Sequence, residues 1–243
     1  MASPAPEPAV HRLLATHLAL DEALLVEAEE GAGELLRFWE WPAPAVIVGA
    51  GGKIAEEVDE AACRRDMVPI LRRSSGGGAV LLGPGCLLFS LVLSFERDPL
   101  LAQVSSSYRY ILDRIAHALN LLAPGLGHAG TSDLAWNGRK VSGNSQQRKR
   151  RHLLHHGTLL YAFDAAPLPR YLRPPPRQPE YRQGREHVDF IANLPAQRGD
   201  IEDALKEEWR LPIFEGFGAP SLRERAGTLV EEKYGNQEWV WRR

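Results

Sequence analysis

Asn137-Gly138 constrains the fold more than any other pair of residues in this chain. A two-residue connection between antiparallel strands takes a turn with positive φ at both central residues, and Asn-Gly accepts that conformation at least cost. The runs on either side are SDLAW (132–136) and RKVSG (139–143), so the spacing predicts a β-hairpin closing at 137–138. Lys140 then lies just past the turn, on a strand where Arg139 and Val141 face the opposite side from it.

Around this hairpin the chain alternates between two periodicities. Leucines at 14, 18 and 25, with Leu13, Leu20 and Leu24 beside them, predict an amphipathic helix over 12–29. LLRFW (35–39) and AVIVG (45–49) read as strands joined by a rigid turn at Pro42 and Pro44. EEVDEAACRRD has helical composition, VPILRR (68–73) returns to strand, and Leu87–Phe95 suits a short buried strand after Gly83-Pro84-Gly85. Tyr108, Ile111, Leu112, Ile115, Leu119 and Leu122 predict a second core helix over 106–122. The basic stretch 148–152 reads as an exposed loop before the strand LLHHGTLLYAF. The proline-rich run RYLRPPPRQPEYRQGREHVDF reads as a long surface connection. A short helix over 201–208 follows, and the closely spaced aromatics of LVEEKYGNQEWVWRR suggest a final packed strand or turn. With no internal repeat and no clear linker, the expected architecture is one α+β domain over 12–243 behind a Pro/Ala-rich disordered arm at 1–11.

Composition narrows the classes of function. The 243 residues suffice for a sizeable core. Lys plus Arg number 29 against 31 Asp plus Glu, so no global field draws the chain to nucleic acid or an anionic membrane. The two cysteines, Cys63 and Cys86, are too few for a disulfide framework and fit a reducing cytosol. The start MASPAPEPAV is not a signal peptide, and no apolar run reaches membrane-spanning length, so the expectation is a soluble cytoplasmic protein.

Three segments can carry chemistry. In RRSSGGGAV (72–80) successive glycines leave backbone N–H groups open to a phosphate or carboxylate, with an arginine alongside; the same glycines also suit a flexible turn. The pattern lacks the Lys and Ser/Thr of a phosphate-binding P-loop. Lys140 could polarise an acyl carbonyl and hold an α-phosphate if its strand face lines a pocket, or stand in solvent if it does not. Asp133 could bind Mg2+ or a nucleotide amine. His156, in His155-His156-Gly157-Thr158, could bind substrate or satisfy a core carbonyl. The histidine spacing lacks a third zinc ligand.

Taken in order, these segments resemble the lipoate-protein ligase A family, within the group that includes biotin ligases and octanoyltransferases. RRSSGGGAV resembles its acyl-adenylate loop, DLAWNGRKVSG followed by HHGTLL its catalytic-lysine hairpin and next strand, HLALDEALL its first helix, and QEWVW the strand closing its large domain. The resemblance implies a single biotin/lipoate protein ligase-like catalytic domain with mixed, mostly antiparallel sheets flanked by helices. It also implies a two-step reaction in which lipoate and MgATP give lipoyl-AMP, and the acyl group then passes to a lysine of an apo lipoyl domain, as in a 2-oxoacid dehydrogenase E2 or a glycine cleavage H protein. Carried over by position, Lys140 is catalytic, and Ser75, Gly76, Gly77 and His156 meet the acyl group. Arg73, Gly78, Ala79, Val80, Leu81 and Asp133 meet the nucleotide, with Asp133 also the candidate Mg2+ ligand.

The chain departs from the pattern in two places. Ala50-Gly51-Gly52-Lys53 replaces the family's Arg with nearby Gln and Asn, and Leu81-Leu82-Gly83-Pro84 replaces its His-Asp pair. Many ligases continue into a smaller accessory domain, which this chain does not show, so a separate accessory subunit is a candidate partner. Two other readings stay open. One is an ATP-independent octanoyl or lipoyl transferase, for which Cys86 is the candidate nucleophile. The other is a non-catalytic lipoyl-binding subunit.

Overall fold

The computed structural model describes residues 8–175 and 178–242. Of the arm expected at 1–11, residues 8–11 already belong to the first helix, and residues 1–7 lie outside the described residues. Helix α1 (Pro8–Glu27) runs through the protein rather than along its surface: residues 18–25 are all buried, Asp21 and Glu22 among them. Both acids are paired, Asp21 with Arg37 and Glu22 with Lys233 and Tyr234, as burial of a charge requires. The helix ends in a π-turn, Ala28–Ala32, where Gly31 takes φ 111°.

Strands β1 (Leu35–Glu40) and β2 (Ala45–Val48) flank Pro42 and Pro44 but are not a hairpin. Prolines offer no N–H to a ladder, and the chain leaves one sheet there and enters another. Helices α2 (Ile54–Glu57) and α3 (Glu60–Arg65) split the expected single helix at Val58-Asp59, where Asp59 caps α3 by accepting from the Ala62 N–H. Strand β3 (Ile70–Arg72) pairs parallel to β2, and β4 (Val80–Leu82) antiparallel to it, forming the small sheet β3-β2-β4.

Strand β5 (Cys86–Ser94) is the spine of the larger sheet. Leu87, Phe89, Leu91 and Leu93 face one core, with α4 (Val104–Ala118) and a later helix; Leu88 and Val92 face the other, with α1 and the small sheet. Burial on both faces explains why this strand reads as an unbroken apolar run. Strands β6 (Gly127–Ala129), β7 (Asp133–Trp136), β8 (Arg139–Arg148) and β9 (His152–Leu160) complete the antiparallel part. Asn137 and Gly138 take φ 50° and 71°, as the hairpin requires. The basic stretch is only the tip of the β8–β9 hairpin, and Arg148 is tied down, donating to the Leu101 carbonyl and stacking on Phe95.

The proline-rich connection is more ordered than its composition suggests. It carries α5 (Leu168–Tyr171) and α6 (His187–Phe190), buries Phe190, and bridges to the hairpin through Ala192 N–H to the Lys140 carbonyl at 2.8 Å. Helix α7 (Arg198–Trp209) covers the expected 201–208, and β10 (Ile213–Phe214) adds parallel to β1. Among the described residues the large sheet has the order β10-β1-β5-β9-β8-β7-β6. The C-terminal aromatics are helical, not a strand: α8 (Pro220–Leu229), a π-turn, then α9 (Gln237–Trp241), capped by Asn236. This segment packs against β3, where buried Arg72 donates to the carbonyls of Val240 and Arg242 and Trp239 Nε1 donates to the Arg72 carbonyl. Among the described residues no helix is long and apolar enough to cross a membrane.

Candidate functional site

A cavity of about 490 Å³ opens between α1, the glycine loop, the β7–β8 hairpin and the proline-rich connection. Leu18, Trp39, Ile47, Leu82, Leu88 and Phe89 give it an apolar wall, and Asp133, Lys140, Asn144, His156 and Thr158 supply polar groups. An apolar slot with a few convergent polar groups suits a small amphiphile with a hydrocarbon body and a polar end.

Lys140 occupies the hairpin side of the cavity because of an irregularity in the ladder. Ala135 pairs with Lys140, but Leu134 pairs with Ser142 and Asp133 with Gly143, so β8 carries an extra residue at Val141. The bulge turns both Val141 and Ser142 inward and brings Gly143 to the same face as Lys140. A Cβ on Gly143 would lie 2.8 Å from Lys140 Nζ, so glycine there leaves the space into which the lysine folds. Asp133 Oδ1 holds the ammonium at 2.7 Å, and Tyr181 donates to Asp133 Oδ2 at 2.8 Å. Burial, then Asp133, pushes the Tyr181 phenol above its ordinary range, so it remains a donor. The connection therefore closes on the site through Tyr181, a contact that composition could not indicate.

The glycine loop is stitched down on several sides. Arg73 is buried and spends its donors internally: Nε on Ser75 Oγ at 3.2 Å, Nη1 on the Ile47 carbonyl, and Nη2 on the carbonyls of Gly76 (2.5 Å) and Gly78 (3.0 Å). Burial lowers its pKa to about 10. Its observed role is to brace the loop rather than to reach outward to a nucleotide. The Ala79 N–H is likewise committed, to Glu57 Oε2 at 2.6 Å. Gly77, Gly78, Ala79 and Val80 line the cavity with Arg73, Asp133, Lys140 and His156. Leu81 turns into the core, Ser75 is buried behind the lining, and Gly76 is exposed but outside the lining.

His155 and His156 alternate across β9 and have different surroundings. His155 is buried against Phe89 and Tyr108, and burial, reinforced by His156, lowers its pKa to about 3, leaving it a neutral core residue. His156 faces the cavity between Ser75 Oγ (2.5 Å from Nε2) and Asp21 Oδ2 (3.2 Å from Nδ1). Asp21 was not among the residues expected at the site. Its Oδ1 takes Arg37 Nη1 at 2.5 Å and Ser90 Oγ at 2.9 Å. Burial alone would raise its carboxyl, but Arg37, His156 and Ser90 together hold it below its ordinary value. The one signal in the sequence was an acid inside an apolar helical run.

Neither cysteine belongs to the cavity lining. Both are buried; burial, then Glu40, pushes the Cys86 thiol up to about 12, and burial with three acids does the same for Cys63. Among the described residues no group of three His, Cys, Asp or Glu side chains could hold a metal ion. Asp133, expected as a Mg2+ ligand, has both oxygens engaged by Lys140 and Tyr181.

Residues 14–208 match the family model of the lipoyl protein ligase A/B catalytic domain. The chain is 32% identical to octanoyltransferase LipM of Carboxydothermus hydrogenoformans, over 94% of each protein. It is also 32% identical to a putative lipoate-protein ligase A of Aeropyrum pernix, over 93% of this chain and 87% of that one. The fold superimposes with a TM-score of 0.80, at 23% identity and over 94% of this chain and 91% of that one, on a structure from an archaeal lipoylation system, a bi-partite lipoate protein ligase and its E2 lipoyl domain from Thermoplasma acidophilum. The chain thus belongs to the lipoyl protein ligase A/B catalytic domain family.

Proposed function

We propose that this protein attaches a lipoyl or octanoyl group, activated as its adenylate, to the lysine of an apo lipoyl carrier domain. The observation that carries the reading is the Lys140 ammonium, fixed by Asp133 over Gly143 in an apolar-walled cavity whose lining includes no thiol. An acyl chain would lie along Leu18, Trp39, Ile47, Leu82 and Leu88, with its carbonyl toward Lys140. There the ammonium would stabilise the oxyanion that develops as the carbonyl is attacked, and the phosphate that leaves. Asp133 sets the lysine's position, and Tyr181 holds the other oxygen of Asp133.

MgATP enters this reading as a co-substrate. The fit is partial: the loop offers the backbone of Gly77 and Gly78, but Arg73 and the Ala79 N–H are committed elsewhere, and Asp133 has no free oxygen for the metal. No step is therefore assigned to Mg2+. The Glu57 carboxylate on the Ala79 N–H favours a second reading, ATP-independent transfer of an octanoyl or lipoyl group between carriers, and the relatives named octanoyltransferase support it too.

Purified protein is incubated with an apo lipoyl domain and either lipoate plus MgATP or an octanoyl carrier thioester, and the acceptor is followed by intact mass. Acylation from lipoate and MgATP, lost in Lys140→Ala, is the expected result. Acylation from the thioester alone replaces the ligase reading with the transferase one, and a requirement for an added second protein assigns adenylation to a separate accessory subunit.

A further inference from the structure

The hairpin that carries Lys140 projects beyond the main sheet. Strand β9 pairs with β8 only from Asn144 onward, and the ladder that holds 139–143, the one to β7, is broken by the bulge at Val141. On the edge that β9 leaves uncovered, the proline-rich connection takes over. Ile191 forms a parallel bridge with Lys140, and the Ala192 N–H donates to the Lys140 carbonyl at 2.8 Å. Arg139, the residue before, donates to the carbonyls of Val188 and Asp189. The backbone of the lysine is thus held by β7 on one edge and by the connection on the other.

The same connection reaches the side chain through a residue that is not itself part of the cavity lining. Tyr181 donates to Asp133 Oδ2 at 2.8 Å, while Asp133 Oδ1 lies 2.7 Å from Lys140 Nζ. The tyrosine ring is seated against Phe190, with centroids 5.1 Å apart, and beside Gly130, where a Cβ would lie 3.4 Å from its Cε1. Asp133 is 7% exposed, so an oxygen left there without a donor is costly. The ammonium carries three donors, and Asp133 Oδ1 takes one of them. Without the phenol, Oδ2 would draw a second and pull Nζ off the cavity toward Asp133. With the phenol in place, Oδ1 alone faces the lysine.

We propose that Tyr181 is a positioning residue for acyl transfer, setting through Asp133 how far the Lys140 ammonium reaches toward the acyl carbonyl. The inference rests on the acyl-transfer reading above and holds for either donor. In that step the carrier amine bonds to the acyl carbon and its proton passes to solvent. The bond from that carbon to the adenylate oxygen, or to the thioester sulfur, breaks and its electron pair leaves with AMP or with the thiolate. Lys140 exchanges no proton; its ammonium meets the oxyanion that forms between the two events, and it does so only from the right place. Tyr181 touches neither substrate nor reacting atoms. It keeps one carboxylate oxygen occupied, so that the other anchors the ammonium without drawing it away.

The test is single-turnover transfer to an apo lipoyl domain at saturating donor, from preformed lipoyl adenylate and separately from an octanoyl carrier thioester. Tyr181→Phe keeps the ring on Phe190 and removes only the hydroxyl. It should lower the rate about 10- to 100-fold, the scale on which a misplacement of up to 1 Å acts, while lipoate affinity and thermal midpoint stay near wild type. A double-mutant cycle with Asp133→Ala separates positioning from packing. If the phenol acts through Asp133, adding Tyr181→Phe to Asp133→Ala should change the rate by less than about 2-fold, because the effects of coupled residues do not add. The isosteric Asp133→Asn serves in the cycle if the alanine variant does not fold. A rate for Tyr181→Phe within about 2-fold of wild type, an equal further loss on top of the Asp133 variant, or a loss that tracks lipoate affinity would overturn the proposal. Wild-type protein inactive with both donors would instead overturn the acyl-transfer reading, and the proposal with it.

Discussion

Gly49, at the end of β2, supports the glycine loop through the absence of a side chain. A Cβ there would lie 2.0 Å from the Gly77 carbonyl oxygen and 3.1 Å from that of Gly76. Ordinary contact begins at 3.4 Å, so Gly49→Ala must displace the loop by about 3.4 − 2.0 = 1.4 Å. The loop cannot yield freely. The Ala50 N–H is bound to the Ser75 carbonyl at 2.8 Å, and Arg73 and Ser145 both hold the Gly76 carbonyl. Overpacking costs about 1–3 kcal/mol and each bond stretched out of range about 1 kcal/mol, for a total near 2–4 kcal/mol. At roughly 2–4 °C per kcal/mol for a chain of this size, the thermal midpoint should fall by about 5–15 °C. Transfer should fall about 100-fold, because a shift of order 1 Å displaces Gly77 and Gly78 in the cavity wall. Gly51→Ala is the control, since nothing lies within 4 Å of its Cβ position and its φ is ordinary. Calorimetry and the carrier acylation assay on both variants decide the matter. Wild-type melting and turnover in Gly49→Ala would refute the close packing of loop on strand.

Lys140→Met should keep lipoate binding, read by calorimetry, while lowering acyl transfer about 100- to 1000-fold, the scale for loss of one group that stabilises an oxyanion; retained transfer removes Lys140 from the chemistry. Cys86→Ala should acylate the carrier at the wild-type rate, because its buried thiol, pushed up to about 12, does not reach the cavity; an inactive variant that still folds would show that a thiol takes part. His155, with its pKa lowered to about 3, is neutral in the fold while an unfolded histidine binds a proton below about pH 6.5, so stability is full above 6.5 and is lost as pH falls. Between pH 6.5 and 5 this group should cost about 2 kcal/mol, and His155→Phe should flatten the fall in denaturant midpoint over that window; an equal fall in both proteins contradicts the assignment.

What the sequence could reveal depended on how local the cause was. Asn137-Gly138 set the hairpin because positive φ is a property of the two residues themselves, and β5 was legible because burial on both faces leaves an apolar run. The bulge at Val141 was not legible: it depends on how Leu134 and Ser142 pair across the ladder, and it places Gly143 rather than Ser142 beside Lys140. QEWVW looked like a strand because its aromatics suit one. Its helix is set by the Asn236 cap and by Arg72, a residue 168 positions earlier in the chain than the Val240 carbonyl to which it donates. Asp21 shows the same limit at the site, since its partners Arg37 and His156 lie 16 and 135 positions away and no window along the chain contains all three.

The proline-rich connection makes the point from the opposite side. Its composition forbade a continuous core element, and none formed. Yet low hydrophobicity does not determine where a segment lies when one phenol and one ring can anchor it. Tyr181 reaches Asp133, Phe190 is buried beneath Arg182 and Arg185, and the backbone at Ala192 bonds to that of Lys140. These contacts, with Arg185 donating to the Gly138 carbonyl and Arg139 to the carbonyls of Val188 and Asp189, turn a surface linker into a wall of the cavity.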